Sequence, residues 1–260
     1  MKKYFLVWLH LAVASFQIFF VSRVGAVLFL AGKIVRFILY YFFLMLIFKK
    51  TTALVGYNVW EVILFYLTFN FIDSSVQMLF REVYRFRHYI VTGNFDMMLV
   101  KPVNVLFRSL LGWTDILDLI TLVPFMVFII FVFTRIGPIT LVGIFFYVSL
   151  IVNALIIAAS FHILVLSLAV VTTEIDHAIM IYRDFTSMGR VPIDVYQEPW
   201  RSILTFIVPV GLMMSFPVKA VLGTLSPSYI ILAYTFSISF LLLSLRLWHW
   251  SLSRYASASS

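Results

Sequence analysis

Residues 139–171 contain no Asp, Glu, Lys or Arg, and this stretch limits what the chain can fold into. As one α-helix it would be about 50 Å long, whereas the hydrocarbon core of a bilayer is about 30 Å thick. A single tilted helix does not readily absorb so large a difference. The stretch therefore predicts two membrane spans, residues 139–158 and 162–185, joined by a tight turn near residues 158–162.

The composition indicates the same environment. Hydrophobic residues make up 63% of the chain and charged residues 12%, with a mean hydropathy of +1.07. A soluble domain has about 25% charged residues, so this is an integral membrane protein. Its apolar runs lack the alternation of barrel strands, so we expect an all-α membrane protein. The absence of cysteine excludes disulfides and thiolate metal sites. The net charge of +8 is typical of cytoplasmic loops and gives no reason to expect a nucleic-acid partner.

Hydropathy along the chain predicts a single transmembrane domain, residues 1–260, with six spans. The predicted spans are residues 24–48, 59–80, 107–133, 139–158, 162–185 and 229–250. Residues 81–102 form a polar, basic segment after the second span. Residues 188–226 contain too many prolines for one straight helix, so we expect short re-entrant helices there.

The N-terminal segment, residues 1–22, has two interpretations. Ala12-Val13-Ala14 resembles a signal-peptide cleavage site. However, Lys3, His10 and Gln17 recur every seven residues and form a polar stripe, which favours an amphipathic helix in the membrane interface. The distribution of Lys and Arg among the loops predicts that both termini are cytoplasmic.

Two motifs occur in a fixed order along this chain. The first is GNFDMMLVKP at residues 93–102, after the second span. The second precedes the sixth span and consists of GRVPIDVY at 189–196, PWR at 199–201, Pro209, Pro217 and LG at 222–223. Together, over essentially the whole chain, they resemble the ABC-2-type transporter permeases, in particular bacterial half-permeases of about this length.

The resemblance implies a fold, a location and partners. Such permeases have the ABC-2-type exporter fold, with an interfacial N-terminal helix, six spans, a coupling helix after span two and outer re-entrant helices before span six. They lie in the bacterial cytoplasmic (inner) membrane. A second permease subunit, either a copy or a sibling, pairs with the first, and two cytoplasmic ABC ATPase subunits drive the pair. No cofactor is then expected in this chain, because ATP and Mg would be bound by the ATPase.

The segment 81–102 is the candidate ATPase-coupling site. A helix from Glu82 to Val91 would end at Gly93 and place three basic residues on one face, while two aromatic residues would anchor in the partner. The candidate coupling residues are Arg81, Glu82, Tyr84, Arg85, Arg87, His88, Gly93, Phe95, Asp96 and Lys101, with Tyr84 and Phe95 as the anchors. The alternative is a positive loop that contacts only anionic lipid.

Three charged residues in the first two spans are candidate pathway residues. Lys33 and Arg36 lie one turn apart, where they would line a path for an anionic or zwitterionic substrate or snorkel to the inner interface. Asp73 is expected to pair with one of them. Asp115 and Asp118, which open the third span, are expected to be solvated or to pair with Arg108.

The outer half of the fifth span carries further polar candidates, Glu174, Asp176 and His177. Glu174 and His177 have the E-x-x-H spacing of carboxylate metal sites. Because the chain has no second copy of that motif, we expect no metal here, but an ion-pair network with Arg183 or a water-filled vestibule. The outer gate is predicted around four prolines, Pro192, Pro199, Pro209 and Pro217.

Two other classes of function remain as alternatives to a permease that exports a lipophilic or amphipathic substrate. An intramembrane lipid-modifying enzyme would cluster His, Asp and Glu at one depth, whereas the five histidines are scattered, so no catalytic residue is predicted. A secondary transporter would favour inverted repeats. The chain also lacks a P-loop, because Gly32-Lys33 is followed by Ile34.

Overall fold

The fold is all-helical, and the computed structural model describes residues 2–21, 23–172 and 176–256. In chain order the α-helices are α1 (Lys2–Val21), α2 (Arg23–Phe48), α3 (Val59–Phe80), α4 (Phe86–Val91), α5 (Asn94–Leu99), α6 (Val105–Leu111), α7 (Ile116–Phe133), α8 (Leu141–Thr172), α9 (Asp176–Ser187), α10 (Trp200–Ser202), α11 (Phe216–Val221) and α12 (Pro227–Ser253). Within these residues, five helices (α2, α3, α7, α8 and α12) are long and apolar enough to cross a membrane.

Helix α3 is the centre of the bundle. It begins with a capping box, in which Asn58 Oδ1 accepts from the Trp60 and Glu61 N–H groups and the Glu61 carboxylate accepts from Asn58 N–H at 2.7 Å. Residues 62–70 are buried on every side of the helix. A helix that is apolar all round has to be surrounded by others, and α7 and α8 cover α3.

Helix α8 is a single helix, and the tight turn expected near residues 158–162 is absent. Residues 144–172 contain neither Gly nor Pro, so nothing in this stretch breaks the helix. Its two strongly polar residues are also satisfied without a turn. His162 Nδ1 lies 2.8 Å from the Ala158 carbonyl, and Asn153 is hydrogen-bonded to Ala233 and Ser237 of α12.

The extra length of α8 passes the end of α3. His162 already lies at that level, because its ring is 5.1 Å from Phe80, and about ten further helical residues follow it. We call this end of the bundle, which carries residues 81–102, the basic end. Helix α9 then runs back along α8, with Tyr182 stacked at 4.5 Å on Phe161. The predicted fifth span, residues 162–185, is therefore divided between the second half of α8 and α9.

The predicted third span, residues 107–133, is divided in two. Helix α6 ends at Leu111, and α7 begins at Ile116 because the Asp115 side chain caps it by accepting from Leu117 N–H at 3.0 Å. Only α7 has the length and apolar character of a span. The Asp115 N–H also donates to the Met78 carbonyl at 3.2 Å, which places the start of α7 beside the end of α3.

Both ends of the described chain contact the basic end. Lys3 of α1 donates to the Pro102 carbonyl at 2.9 Å, and Tyr4 packs edge-on against Phe107. Past the end of α12, the Tyr255 hydroxyl donates to Asp96 at 2.9 Å. Helix α1 therefore lies against the segment between the second and third spans, and its residues Lys3, His10 and Gln17 are exposed.

Residues 200–221 form a bent pair at the opposite end of the bundle. The segments Trp200–Ile207 and Gly211–Val221 meet at 81°, with Pro209 between them. Asp194 contacts both ends of the pair, through Arg201 at 2.7 Å and Lys219 at 2.7 Å. Because both ends of the pair lie at one carboxylate, the segment enters and leaves the bundle on the same side, as a re-entrant hairpin does.

Candidate functional site

The polar segment after α3 is a chain of short helical turns. A 3-10 helix covers Arg81–Arg85, α4 follows, and Gly93 connects α4 to α5 with a φ of +72°. A glycine suits this left-handed conformation because a side chain would be strained there. The predicted helix from Glu82 to Val91 is therefore a 3-10 turn followed by an α-helix, and Gly93 ends it.

Phe95 points into the protein, so it is not available as an anchor in a partner. It is fully buried, with its ring 5.1 Å from Phe86 and 5.0 Å from Tyr255. Phe86 in turn lies 6.4 Å from Trp248 of α12. Asp96, another expected partner contact, accepts the Tyr255 hydrogen bond. These contacts attach the segment to the C-terminal helix.

Tyr84 is also directed inward. Its hydroxyl accepts from Gln77 Nε2 at 3.3 Å, and its ring lies 6.2 Å from the ring of His162. It is half-buried, and burial raises its pKa, while the Gln77 hydrogen bond opposes that rise. The predicted role of Tyr84 as an anchor in the ATPase does not fit this position.

Glu82 is a buried ion-pair residue and cannot reach a partner protein. Its side chain pairs with Arg108 of α6 at 2.9 Å and lies 3.9 Å from Arg85. Burial raises the pKa of Glu82, and the charges of Arg108 and Arg85 oppose that rise. Arg108 therefore pairs with Glu82 and not with Asp115 or Asp118. Gly112 permits the pair, because a Cβ there would overlap the Arg108 guanidinium.

The remaining residues of the segment face outward. Arg85 stacks on Trp113 with 4.3 Å between the guanidinium carbon and the ring centroid, and Val100 is 78% exposed. We call the exposed set the basic–apolar surface, and its members are Arg85, Arg87, His88, Val91, Met97, Val100 and Lys101. Arg81 is turned toward α7, with its Nε 3.6 Å from Asp115.

A second group of charged residues, some buried and some exposed, lines cavities at the side of the bundle. Lys33 forms an ion pair with Asp118 and not with Asp73, while its Nζ also donates to Thr121 at 3.5 Å. Lys33 and Asp118 line a cavity of about 300 Å³ together with Arg36, Asp73, Arg81 and Arg183. Asp118 was expected to be solvated or to pair with Arg108, but it is buried and paired with Lys33.

A neighbouring cavity of about 270 Å³ continues the first. The two cavities share Arg36, Asp73 and Arg183, and the second adds Asp184 and Arg190. Arg183 and Arg190 were not among the predicted pathway residues. They are seven residues apart, a spacing of about two helical turns that places side chains on the same face. This seven-residue spacing was the sequence feature that could have identified the two arginines.

Of the predicted polar group of the fifth span, Asp176 and His177 lie at the start of α9, near the basic end, because α8 continues to Thr172. Glu174 lies outside the described residues, and the described part of the chain contains no group of three or more residues that could hold a metal ion. His177 is exposed in the first turn of α9, which starts at Asp176.

Asp194 holds the re-entrant hairpin at the opposite end. Its carboxylate accepts hydrogen bonds from Arg201 and Lys219. It also accepts one of 3.0 Å from the hydroxyl of Tyr57, which lies in the loop between α2 and α3. Burial favours the neutral acid, but the hydrogen bond and charge of Lys219, with Tyr57 and Arg201, lower its pKa overall.

The four predicted gate prolines all lie in or beside this hairpin. Pro192 precedes a 3-10 turn at Ile193–Val195, and Pro199 precedes α10. Pro209 lies at the bend, and Pro217 is in the first turn of α11. Each position is one where a missing N–H or a fixed φ is tolerated.

Comparison with protein families gives one match, to the family described as "ABC-2 family transporter protein", over residues 34–259. No curated protein and no solved structure matches the chain. The matched region contains the 81–102 segment, the second cavity and the re-entrant hairpin. It omits α1 and the first part of α2, including Lys33 of the first cavity.

Proposed function

The chain belongs to the ABC-2 family of transporter proteins, and we propose that it is the membrane-spanning permease subunit of an exporter driven by separate ATPase subunits. Two ATPase subunits and a second permease subunit, either a copy or a sibling chain, complete the transporter. ATP and Mg²⁺ belong to the ATPase, since this sequence has no P-loop. The substrate is lipophilic or amphipathic, and it leaves past the re-entrant hairpin, which acts as the outer gate.

The observation that supports this proposal best is the basic–apolar surface together with the attachment of its segment to the helices behind it. Val91, Met97 and Val100 are apolar and between 60% and 78% exposed, beside the exposed Arg87 and Lys101. Exposed apolar side chains among cations are typical of a protein interface with an acidic, partly apolar partner. An ATPase cleft fits that description better than lipid headgroups do.

Behind this surface, the segment is fixed to several helices at once. Phe86 and Phe95 pack toward α12, and the Glu82–Arg108 pair joins the segment to α6. A displacement of the surface by a closing ATPase dimer would therefore move these helices together. Such a linkage lets ATP-driven motion below the membrane change the access of a pathway within it.

The same arrangement supports a bacterial cytoplasmic membrane location with both termini inside. Helix α1 contacts the segment through Lys3, and the residues after α12 contact it through Tyr255. An ATPase in the cytoplasm has to meet the segment on that side of the membrane, so the two termini face the same compartment.

The test is co-purification from native membranes in a mild detergent. The double variant Arg87→Glu/Val100→Asp should insert normally but lose a co-eluting P-loop ATPase and ATP-dependent transport, because it places acidic groups where the partner carries acids. Lys50→Glu, which reverses the charge of one exposed residue in the loop between α2 and α3, is the control and should retain both. Equal recovery of the ATPase with the double variant would contradict the proposal.

A further inference from the structure

The two adjoining cavities at the side of the bundle contain more positive than negative charge. Asp73 interacts electrostatically with four cations, Arg36, Lys33, Arg183 and Arg190. Lys33 already has Asp118 as its ion-pair partner. Of the described residues that line the second cavity, the three arginines face only two carboxylates, those of Asp73 and Asp184.

This excess lies deep in the spanning region. Arg36 is midway along α2, and Arg190 reaches the middle of α3, where its guanidinium lies 5.6 Å from the ring of Phe69. Its carbonyl accepts from the Tyr40 hydroxyl at 3.3 Å. A charged side chain at such depth is costly unless it is paired or lies in a polar cavity. A bound anion would supply the missing partner.

The surroundings of the cavities are apolar and open. Leu28 lines the first cavity and is 66% exposed, and Met180 lines the second and is 61% exposed. Helix α2, which carries Arg36, has few buried residues along its length. A ligand whose charged end reaches the arginines can therefore leave an apolar tail beside α2 and α9.

We propose that the cavities at Arg36, Arg183 and Arg190 bind the anionic headgroup of an amphiphile, whose tail remains in the apolar surface between α2 and α9. A guanidinium group donates two parallel hydrogen bonds to a phosphate or carboxylate. The excess of positive charge also disfavours the cation of a zwitterionic head, so the cavities favour an anionic one. Asp73 holds the arginines in position and keeps their charges apart. This inference rests on the proposed permease function, since it names the class of substrate.

The test measures binding to the purified permease without an ATPase, so failure of the proposed function does not affect the result. Native mass spectrometry in a neutral detergent would compare three ligands: dodecyl phosphate, dodecylphosphocholine and inorganic phosphate. Dodecyl phosphate should bind about tenfold more tightly than either of the others, because only it has both the anionic head and the tail.

Variants then locate the site. Arg36→Gln and Arg183→Gln should each weaken dodecyl phosphate binding about tenfold. Arg246→Gln is the matched control, since Arg246 is also an exposed arginine in a spanning helix but lines neither cavity, and it should bind as the wild type does. If a variant does not purify as a folded protein, dodecyl phosphate binding to the wild type is measured at increasing salt instead. Binding through these charges should weaken at high salt, and unchanged binding would contradict the proposal.

Three results would overturn the proposal. Equal binding of inorganic phosphate would make the cavities a site for a free anion. Equal binding of dodecylphosphocholine would make them an apolar groove. Unchanged binding in both variants, with a change only in the oligomeric state, would assign the arginines to contact with a second copy of the chain.

Discussion

Each end of the bundle contains one carboxylate that binds two cations, and the two sites differ in burial. Glu82 at the basic end is fully buried, and burial raises its pKa against the opposing charges of Arg108 and Arg85. Asp194 at the opposite end is partly exposed, and there Lys219, Tyr57 and Arg201 outweigh burial and lower its pKa. The surroundings of Glu82 therefore oppose ionisation of its carboxyl group, whereas those of Asp194 favour it.

The difference indicates two kinds of attachment. At the basic end the segment is attached both by this polar pair and by a layer of packed aromatic rings, Phe86, Phe95 and Trp248. At the opposite end the second half of the re-entrant hairpin is buried as well, and the carboxylate joins it to the more exposed first half through Lys219 and Arg201.

Truncation of the aromatic layer should have the largest effect. Phe95→Ala should lower the free energy of unfolding by about 3–5 kcal/mol, because it leaves a cavity among buried rings. Phe206→Ala in the re-entrant hairpin, where the ring is 41% exposed, is the matched control and should cost much less. Thermal unfolding in detergent measures both. Similar losses at the two ends would refute the contrast between the two attachments.

Removal of the cation from the buried pair should have the next largest effect. Arg108→Met leaves the Glu82 carboxylate buried without its closest partner and should cost about 3 kcal/mol. The raised pKa of Glu82 means that the folded state holds its proton more tightly, so stability should fall as pH rises from the unfolded value of about 4.5. The double variant Arg108→Met/Glu82→Gln should recover much of the loss and remove this pH dependence. No recovery would show that the charge of Glu82 is not the cause.

Asp194 should give a smaller effect, with the opposite dependence on pH. Asp194→Asn should cost about 1–2 kcal/mol, as it removes the charged acceptor of Lys219 and Arg201. Because the folded pKa lies below the unfolded value of about 3.8, the contribution of Asp194 is present above that value and is lost as pH falls through the folded pKa. Since the chain has no cysteine, a single Ser202→Cys can report the opening of the hairpin by its labelling rate. An unchanged rate in Asp194→Asn would show that this carboxylate does not hold the hairpin.

The class of the protein and the order of its segments follow from the sequence alone. Each segment reflects the environment that its residues tolerate. Uncharged runs tolerate lipid, the basic segment at 81–102 requires water, and the prolines between residues 192 and 217 do not fit a helix interior. These are local properties, and they predicted a helical membrane protein, while the resemblance of two motifs to ABC-2-type permeases predicted its family. The family match supports that prediction.

Only the tertiary structure decided which side chains face inward and where α8 ends. Phe95 and Glu82 have the residue types of a partner interface, yet packing against Phe86 and pairing with Arg108 bury them. Helix α8 passes the expected turn because α12 and α3 supply partners for its polar residues along the way. The meeting of Arg36 with Arg183 joins helices far apart in the chain, and helical periodicity contains no information about such a contact.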